Sequence, residues 1–206
     1  MSEVTRSMEA TSLPAAAYAD RRRRDVPNAW WGVALFVATE ATLFGTMIGS
    51  YFYLRFQSAH WPPAGIERPK VALPLVLTGV LVSTTLPLVA AVRGARVGRG
   101  RLAWWLVLVA LVIQAAYLGI QVHEFTGDLD KFSPKGSAYG SIYFTLLGAH
   151  HVHVAIGILL ELWLLARLLA GFTNYRFVGL RVVALYWYFV NFLAIPVLLT
   201  QIYPSL

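Results

Sequence analysis

Residues 139–169 read Y-G-S-I-Y-F-T-L-L-G-A-H-H-V-H-V-A-I-G-I-L-L-E-L-W-L-L-A-R-L-L, with Glu161 and Arg167 the only residues of the Asp, Glu, Lys and Arg types. A membrane-crossing helix needs about 20 mostly apolar residues at 1.5 Å rise each. This stretch exceeds that, so it is long enough to tilt or to project beyond the bilayer. Four further stretches pass the same test: Trp30–Phe56, Val71–Val92, Leu102–Phe125 and Val182–Ile202. The fold class expected is therefore all-α, a polytopic transmembrane bundle of five helices spanning residues 27–206. Residues 1–26, rich in Ala, Ser, Thr and Arg, read as a flexible basic tail. Arg21 to Arg24 there serve as a topology signal or bind acidic headgroups.

Composition agrees. Charged residues make up 13% of the chain and apolar residues 58%, whereas soluble domains carry about 25% charge. The net charge of +7 does not point to nucleic acid, because the basic residues sit in short gaps between apolar runs rather than along one stripe. Those gaps set direction. Twelve of the 17 Lys and Arg residues fall in the tail, in the R-G-A-R-V-G-R-G-R turn at 93–101, and around Arg167, Arg176 and Arg181. The positive-inside bias then places the N-terminus in the cytoplasm and the C-terminus outside. Pro74, Pro87 and Pro196 fall inside spans, where local kinks are expected.

Ionisable residues deep in a span are expensive and face protein or water. Glu40 lies about 15 Å into the first span, and His150, His151 and His153 lie near the middle of the fourth. His150 and His153 share a helix face while His151 points elsewhere. Three readings remain open at this point: a buried network in which Glu40 bonds a histidine of span four, a proton relay, or a metal site. The histidines crowd one helix, and His123 and Glu124, at the outer end of span three, sit at another depth. Both facts count against the metal. An unpaired carboxylate in low dielectric is strongly disfavoured, so burial favours the neutral acid at Glu40, either as a proton-relay candidate or as a structural acid joining two helices. Gly45 and Gly49 form a G-x-x-x-G pair, and Gly148 and Gly157 flank the histidines; such positions let helices approach closely.

There is no Walker loop, G-x-S-x-G, H-E-x-x-H or C-x-x-C-H. With no cysteine and only short loops, the chain holds little machinery for chemistry of its own. No catalytic residue or bound metal is expected, and a role within a membrane complex fits best.

Several patterns, in order, resemble subunit III of the haem-copper oxidases, in its short five-helix bacterial type. They are W-G-V-A-L-F-V-A-T-E around Glu40, W-P-P at Trp61–Pro63, Q-V-H-E with Gln121 and Glu124, G-A-H-H-V-H-V-A-I-G from Gly148 to Gly157, and L-Y-W-Y-F-V-N from Leu185 to Asn191. The resemblance runs from Trp30 to Tyr203. It implies a non-redox subunit of a proton-pumping cytochrome c oxidase in aerobic respiration, in the bacterial cell membrane. Such a subunit packs against subunit I, shares its complex with subunit II, and binds structural phospholipid in its helix cleft. It sustains proton uptake, with haem and copper held by the partner subunits. A cytochrome c or cytochrome bc-type protein joins as partner in a supercomplex.

By the same resemblance Glu40 matches the family's carbodiimide-reactive acid, and Glu40, His150, His153 and Glu124 are its buried polar or proton-related residues. Trp61, Gln121, Tyr186, Trp187, Tyr188 and Asn191 become candidates for interface or lipid contact. Tyr188 and Asn191 depart from the His and Asp usual in relatives, and Glu161 is an additional acid. The alternatives are an accessory subunit of a quinol oxidase or nitric-oxide reductase, and an independent ion transporter. Transport would need a continuous polar path or an inverted repeat, and neither is evident.

Overall fold

The structure, a computed structural model, describes residues 28–169 and 174–205. Among them the helices are α1 (Asn28–Gln57), α2 (Ala72–Ser83), α3 (Thr85–Arg96), α4 (Gly100–Lys131), α5 (Ala138–Leu169) and α6 (Asn174–Ile202), closed by a 3-10 turn at Tyr203–Ser205. α2 and α3 form one span, so five segments are long and apolar enough to cross a membrane. That is the number expected. Lipid offers no hydrogen bonds to the backbone, and a helix satisfies its own. The tail, including Arg21 to Arg24, lies outside the described residues.

Three expectations are corrected. Span three runs on to Lys131, so His123 and Glu124 lie inside its helix rather than at its end. The helix of the fifth span, α6, begins at Asn174, well before Val182, because Arg176 and Arg181 sit where helix ends can project past the hydrocarbon. Pro74 makes no kink inside span two: it falls in the first turn of α2, where a missing N–H costs nothing.

Pro87 does interrupt. It has no N–H for the Ser83 carbonyl and its ring crowds that group. The chain tightens at Thr84, whose N–H bonds the Leu81 carbonyl at 3.1 Å. The Thr84 hydroxyl donates to the same carbonyl at 2.7 Å. Its one proton is thereby spent, so Thr84 Oγ1 can only accept from Gln114 Nε2 (3.2 Å) and Asn191 Nδ2 (3.3 Å). Asn191 Nδ2 also donates to Thr85 Oγ1 at 2.8 Å. This node ties the break in span two to α4 and α6.

The turn from α3 to α4 is closed by Gly98 at φ +78°, a conformation that favours glycine. Its N–H reaches the Ala95 carbonyl and the Arg99 N–H the Gly94 carbonyl, a Schellman end. Opposite this face, the loop at 58–71 is pinned by Trp61, which is buried, donates to the Tyr51 hydroxyl at 3.0 Å and packs edge-on against Tyr139.

α6 is the centre of the bundle. It packs against α1, α2, α3 and α5, while α4 bridges α5 to α2 and α3; among the described α-helices α1 packs only on α5 and α6. In the apolar windows of the spans, 61% of positions are buried for α6 and 6% for α1. α1 is thus the peripheral helix. Close approach occurs where a small residue permits it. A Cβ added at Gly157 would lie 2.6 Å from Trp187 Cζ2, so the indole of α6 rests on the bare backbone of α5. Gly148 is in ordinary contact with Phe125. Gly45 and Gly49 meet nothing within 4 Å, so their G-x-x-x-G face is not a contact between helices of this chain.

Candidate functional site: a carboxyl–imidazole pair beside an apolar groove

The two middle-of-helix acids and bases that meet are Glu40 of α1 and His153 of α5. Glu40 lies about 18 Å along α1 and His153 about 22 Å along α5, so antiparallel-type crossing near mid-bilayer brings them level. His153 Nε2 and Glu40 Oε2 are 3.1 Å apart, with side chains 11% and 18% exposed. The other ring nitrogen, Nδ1, is 2.8 Å from the Ala149 carbonyl. A carbonyl only accepts, so Nδ1 carries a proton. The pair is then either neutral imidazole accepting from a carboxylic acid or imidazolium donating to a carboxylate. In both, one proton lies between Nε2 and Oε2.

The imidazole is held on three sides, by Glu40, by the Ala149 carbonyl and by Phe44. Phe44 meets it edge-on at 5.2 Å, and the Tyr186 hydroxyl donates to the His153 backbone carbonyl at 2.9 Å. One turn before Glu40, Phe36 stacks on the Tyr186 ring. Phe36 and Tyr186 also line a cavity of about 380 Å³ between α1, α5 and α6, with Val33, Ile156, Leu160 and Trp163. Arg167 and Arg176 stand at the end of this groove, and the Arg167 guanidinium lies over the Trp163 ring at 5.0 Å. The result is an apolar trough with a basic end, beside a proton-holding pair.

The remaining polar residues do not join it. His150 is buried on a stripe of α5 with Val154, Gly157 and Glu161, and neither of its ring nitrogens has a hydrogen-bond partner in the structure. His151 is also buried, edge-on to Phe125 of α4. Glu161 is fully buried and neither carboxyl oxygen is hydrogen-bonded in the structure. Glu124 lines a different cavity, of about 480 Å³, with Gln121, Asp128, Lys131 and Tyr143 near the other face. Among the described residues, no three His, Cys, Asp or Glu side chains come together as a metal-binding group.

Of the contact candidates, Trp61, Gln121, Tyr186, Trp187 and Asn191 are buried within the chain. Tyr186, Trp187 and Asn191 join α6 to its neighbours, Trp61 pins the 58–71 loop to α1 and α5, and Gln121 donates to Tyr117 within α4. Tyr186 also edges the groove, and half-buried Tyr188 lines a separate hollow. The Thr84–Gln114 part of the polar node escaped the sequence reading. Its signal was S-T-T just before Pro87 and a lone amide in the middle of span three.

The family described as cytochrome c oxidase subunit III matches residues 20–204. Over 168 residues the chain is 29% identical to the cytochrome c oxidase subunit 3 of Bacillus subtilis (strain 168), covering 80% of each protein. It is 28% identical over 177 residues to the cytochrome c oxidase subunit 3 of Thermostichus vulcanus, covering 84% of this chain and 85% of the other. It is 30% identical over 170 residues to the cytochrome bo(3) ubiquinol oxidase subunit 3 of Pseudomonas aeruginosa, covering 80% and 79%.

Proposed function

The chain belongs to the cytochrome c oxidase subunit III family, and on that premise we propose that it is the non-redox subunit III of a proton-pumping cytochrome c oxidase. As an oxidase subunit III it is part of an oxidoreductase complex with other oxidase subunits, in the bacterial plasma membrane, which it crosses with several helices. The observation that carries the finer reading is the Glu40–His153 pair at the edge of the groove.

In this reading subunit I is the direct partner and subunit II lies in the same complex. Haem and copper are carried by those partners, and none by this chain. Subunit I docks on the uncovered face of α1, where Gly45 and Gly49 leave room for a helix to approach. The groove takes a phospholipid, its acyl chain along Phe36, Ile156 and Leu160 and its headgroup toward Arg167 and Arg176. Glu40 and His153 keep one exchangeable proton at the lipid-facing side of the bundle, and the packed pair sustains proton uptake by the partner during turnover. The basic face, with Arg93, Arg96 and Arg181, faces the cytoplasm.

A second reading, electrons from a quinol, is favoured by the ubiquinol oxidase relative of Pseudomonas aeruginosa. The test is to purify the complex through a tag on this chain in mild detergent. A reduced-minus-oxidised spectrum with haem bands, and a large subunit identified by mass, is expected. Oxidation of reduced cytochrome c rather than ubiquinol supports the first reading, and the reverse supports the second. A colourless chain without a large partner, purified under conditions that keep control complexes intact, refutes both.

A further inference from the structure

Three arginines converge on a hollow that shares no residue with the groove beside Glu40. It exists because α1 and α3 both pack on α6 but do not touch each other. The gap between them is a cavity of about 280 Å³, with Trp30 of α1 on one side and Val89 and Val92 of α3 on the other. Arg93 and Arg96 of α3 and Arg181 and Tyr188 of α6 complete it. Their spacing explains the convergence. Residues three apart share a helix face, as do residues seven apart, which places Arg93 with Arg96 and Arg181 with Tyr188.

Among the described residues, none of these three guanidinium groups has an ion pair or hydrogen bond. Every described acid lies elsewhere: Glu40 and Glu161 within spans, and Glu67, Glu124, Asp128 and Asp130 toward the opposite face. Three like charges around one cavity repel unless an anion joins them. Guanidinium groups present planar N–H forks that fit phosphate oxygens two at a time, and a phenol hydroxyl adds one more donor. Beneath the arginines the wall is apolar, through Val89, Val92, Ala184 and Leu185. A free phosphate has no use for that wall, whereas a lipid has both a phosphate and an acyl chain.

We propose that this hollow binds an anionic phospholipid, its phosphate held by Arg93, Arg96, Arg181 and the Tyr188 hydroxyl and an acyl chain lying against Val89 and Leu185. The site stands independently of the oxidase reading, since it rests only on the gap between α1 and α3 and on the charges around it. The test uses the intact complex, stripped of lipid in detergent and titrated with phosphatidylglycerol or phosphatidylcholine under native mass spectrometry. Phosphatidylglycerol is expected to bind in preference to phosphatidylcholine. Replacing Arg93, Arg96 and Arg181 together with Gln should weaken the tightest phosphatidylglycerol site by about a hundredfold, at about fivefold per charge. An Arg99→Gln/Arg101→Gln control on the same face should change it by less than about twofold. The Arg→Lys triple variant keeps the charges but loses the forks; it should weaken binding by less than the Gln variant, and it serves if that one fails to assemble. Wild-type binding in both triple variants, or equal loss in the control, overturns the proposal. So does displacement of the lipid by millimolar inorganic phosphate, which would assign the hollow to free phosphate. The haem spectrum of each variant is recorded alongside, so loss of this lipid is distinguished from loss of the complex.

Discussion

Replacing Glu40 with Ala and with Gln should give different results, and the difference follows from where the protons are. With the Ala149 carbonyl only 2.8 Å from Nδ1, the His153 tautomer is fixed and a neutral ring presents Nε2 as an acceptor. A Gln at position 40 offers an amide N–H to that acceptor and keeps the bond. An Ala offers nothing, so Nε2 of a ring only 11% exposed is left without a partner. Leaving a buried polar group unpaired costs about 1–3 kcal/mol. The partial exposure of both side chains favours the lower part of that range, about 1–2 kcal/mol for Ala relative to Gln. For a chain of this length that is roughly 2–8 °C in unfolding midpoint. The assay is thermal unfolding of the detergent-solubilised complex, followed by release of this chain. Equal midpoints for the Ala and Gln variants, or a lower one for Gln, would refute the tautomer argument and the pairing it rests on.

The other expectations concern the packing that presents the pair. Gly157→Ala pushes a methyl to 2.6 Å from Trp187 Cζ2, well inside the 3.5–4.0 Å optimum, and should cost about 1–3 kcal/mol. Gly148→Ala, whose nearest contact is Phe125 at 3.6 Å, should be close to neutral in the same melting assay. Thr84→Val keeps the shape but removes the shared acceptor of Gln114 and Asn191. The Gln114 amide keeps only the nearby Glu161 carboxyl while Asn191 retains Thr85, so a loss of about 1 kcal/mol is expected. Tyr51→Phe leaves the Trp61 indole N–H without its partner, and should raise the rate of proteolysis in the 58–71 loop while leaving the cores of α4 and α6 resistant.

The membrane character, the five spans and the all-helical class were legible in the sequence because they depend on local quantities. A run of apolar residues cannot remain in water, and in lipid its backbone has to bond within itself. The resemblance carried by W-P-P, Q-V-H-E and the histidine-rich helix led to the same family that residues 20–204 match. Sequence also placed Glu40 and the span-four histidines at comparable depth, since depth is only residue count times rise.

Facing direction was beyond it. His150 and His153 share a helix face by spacing, with nothing in the sequence to choose between them, yet only His153 reaches Glu40, because α1 packs on that side of α5. The glycines show the same limit. Gly45 and Gly49 have the better-known spacing, but Gly157 is the one that an indole covers. The groove and the arginine hollow are likewise products of which helices fail to touch. Solvent preference is a property of each segment and is written in its composition. Which faces meet is decided by how the other four spans arrange themselves around one central helix, and that outcome exists only in the assembled bundle.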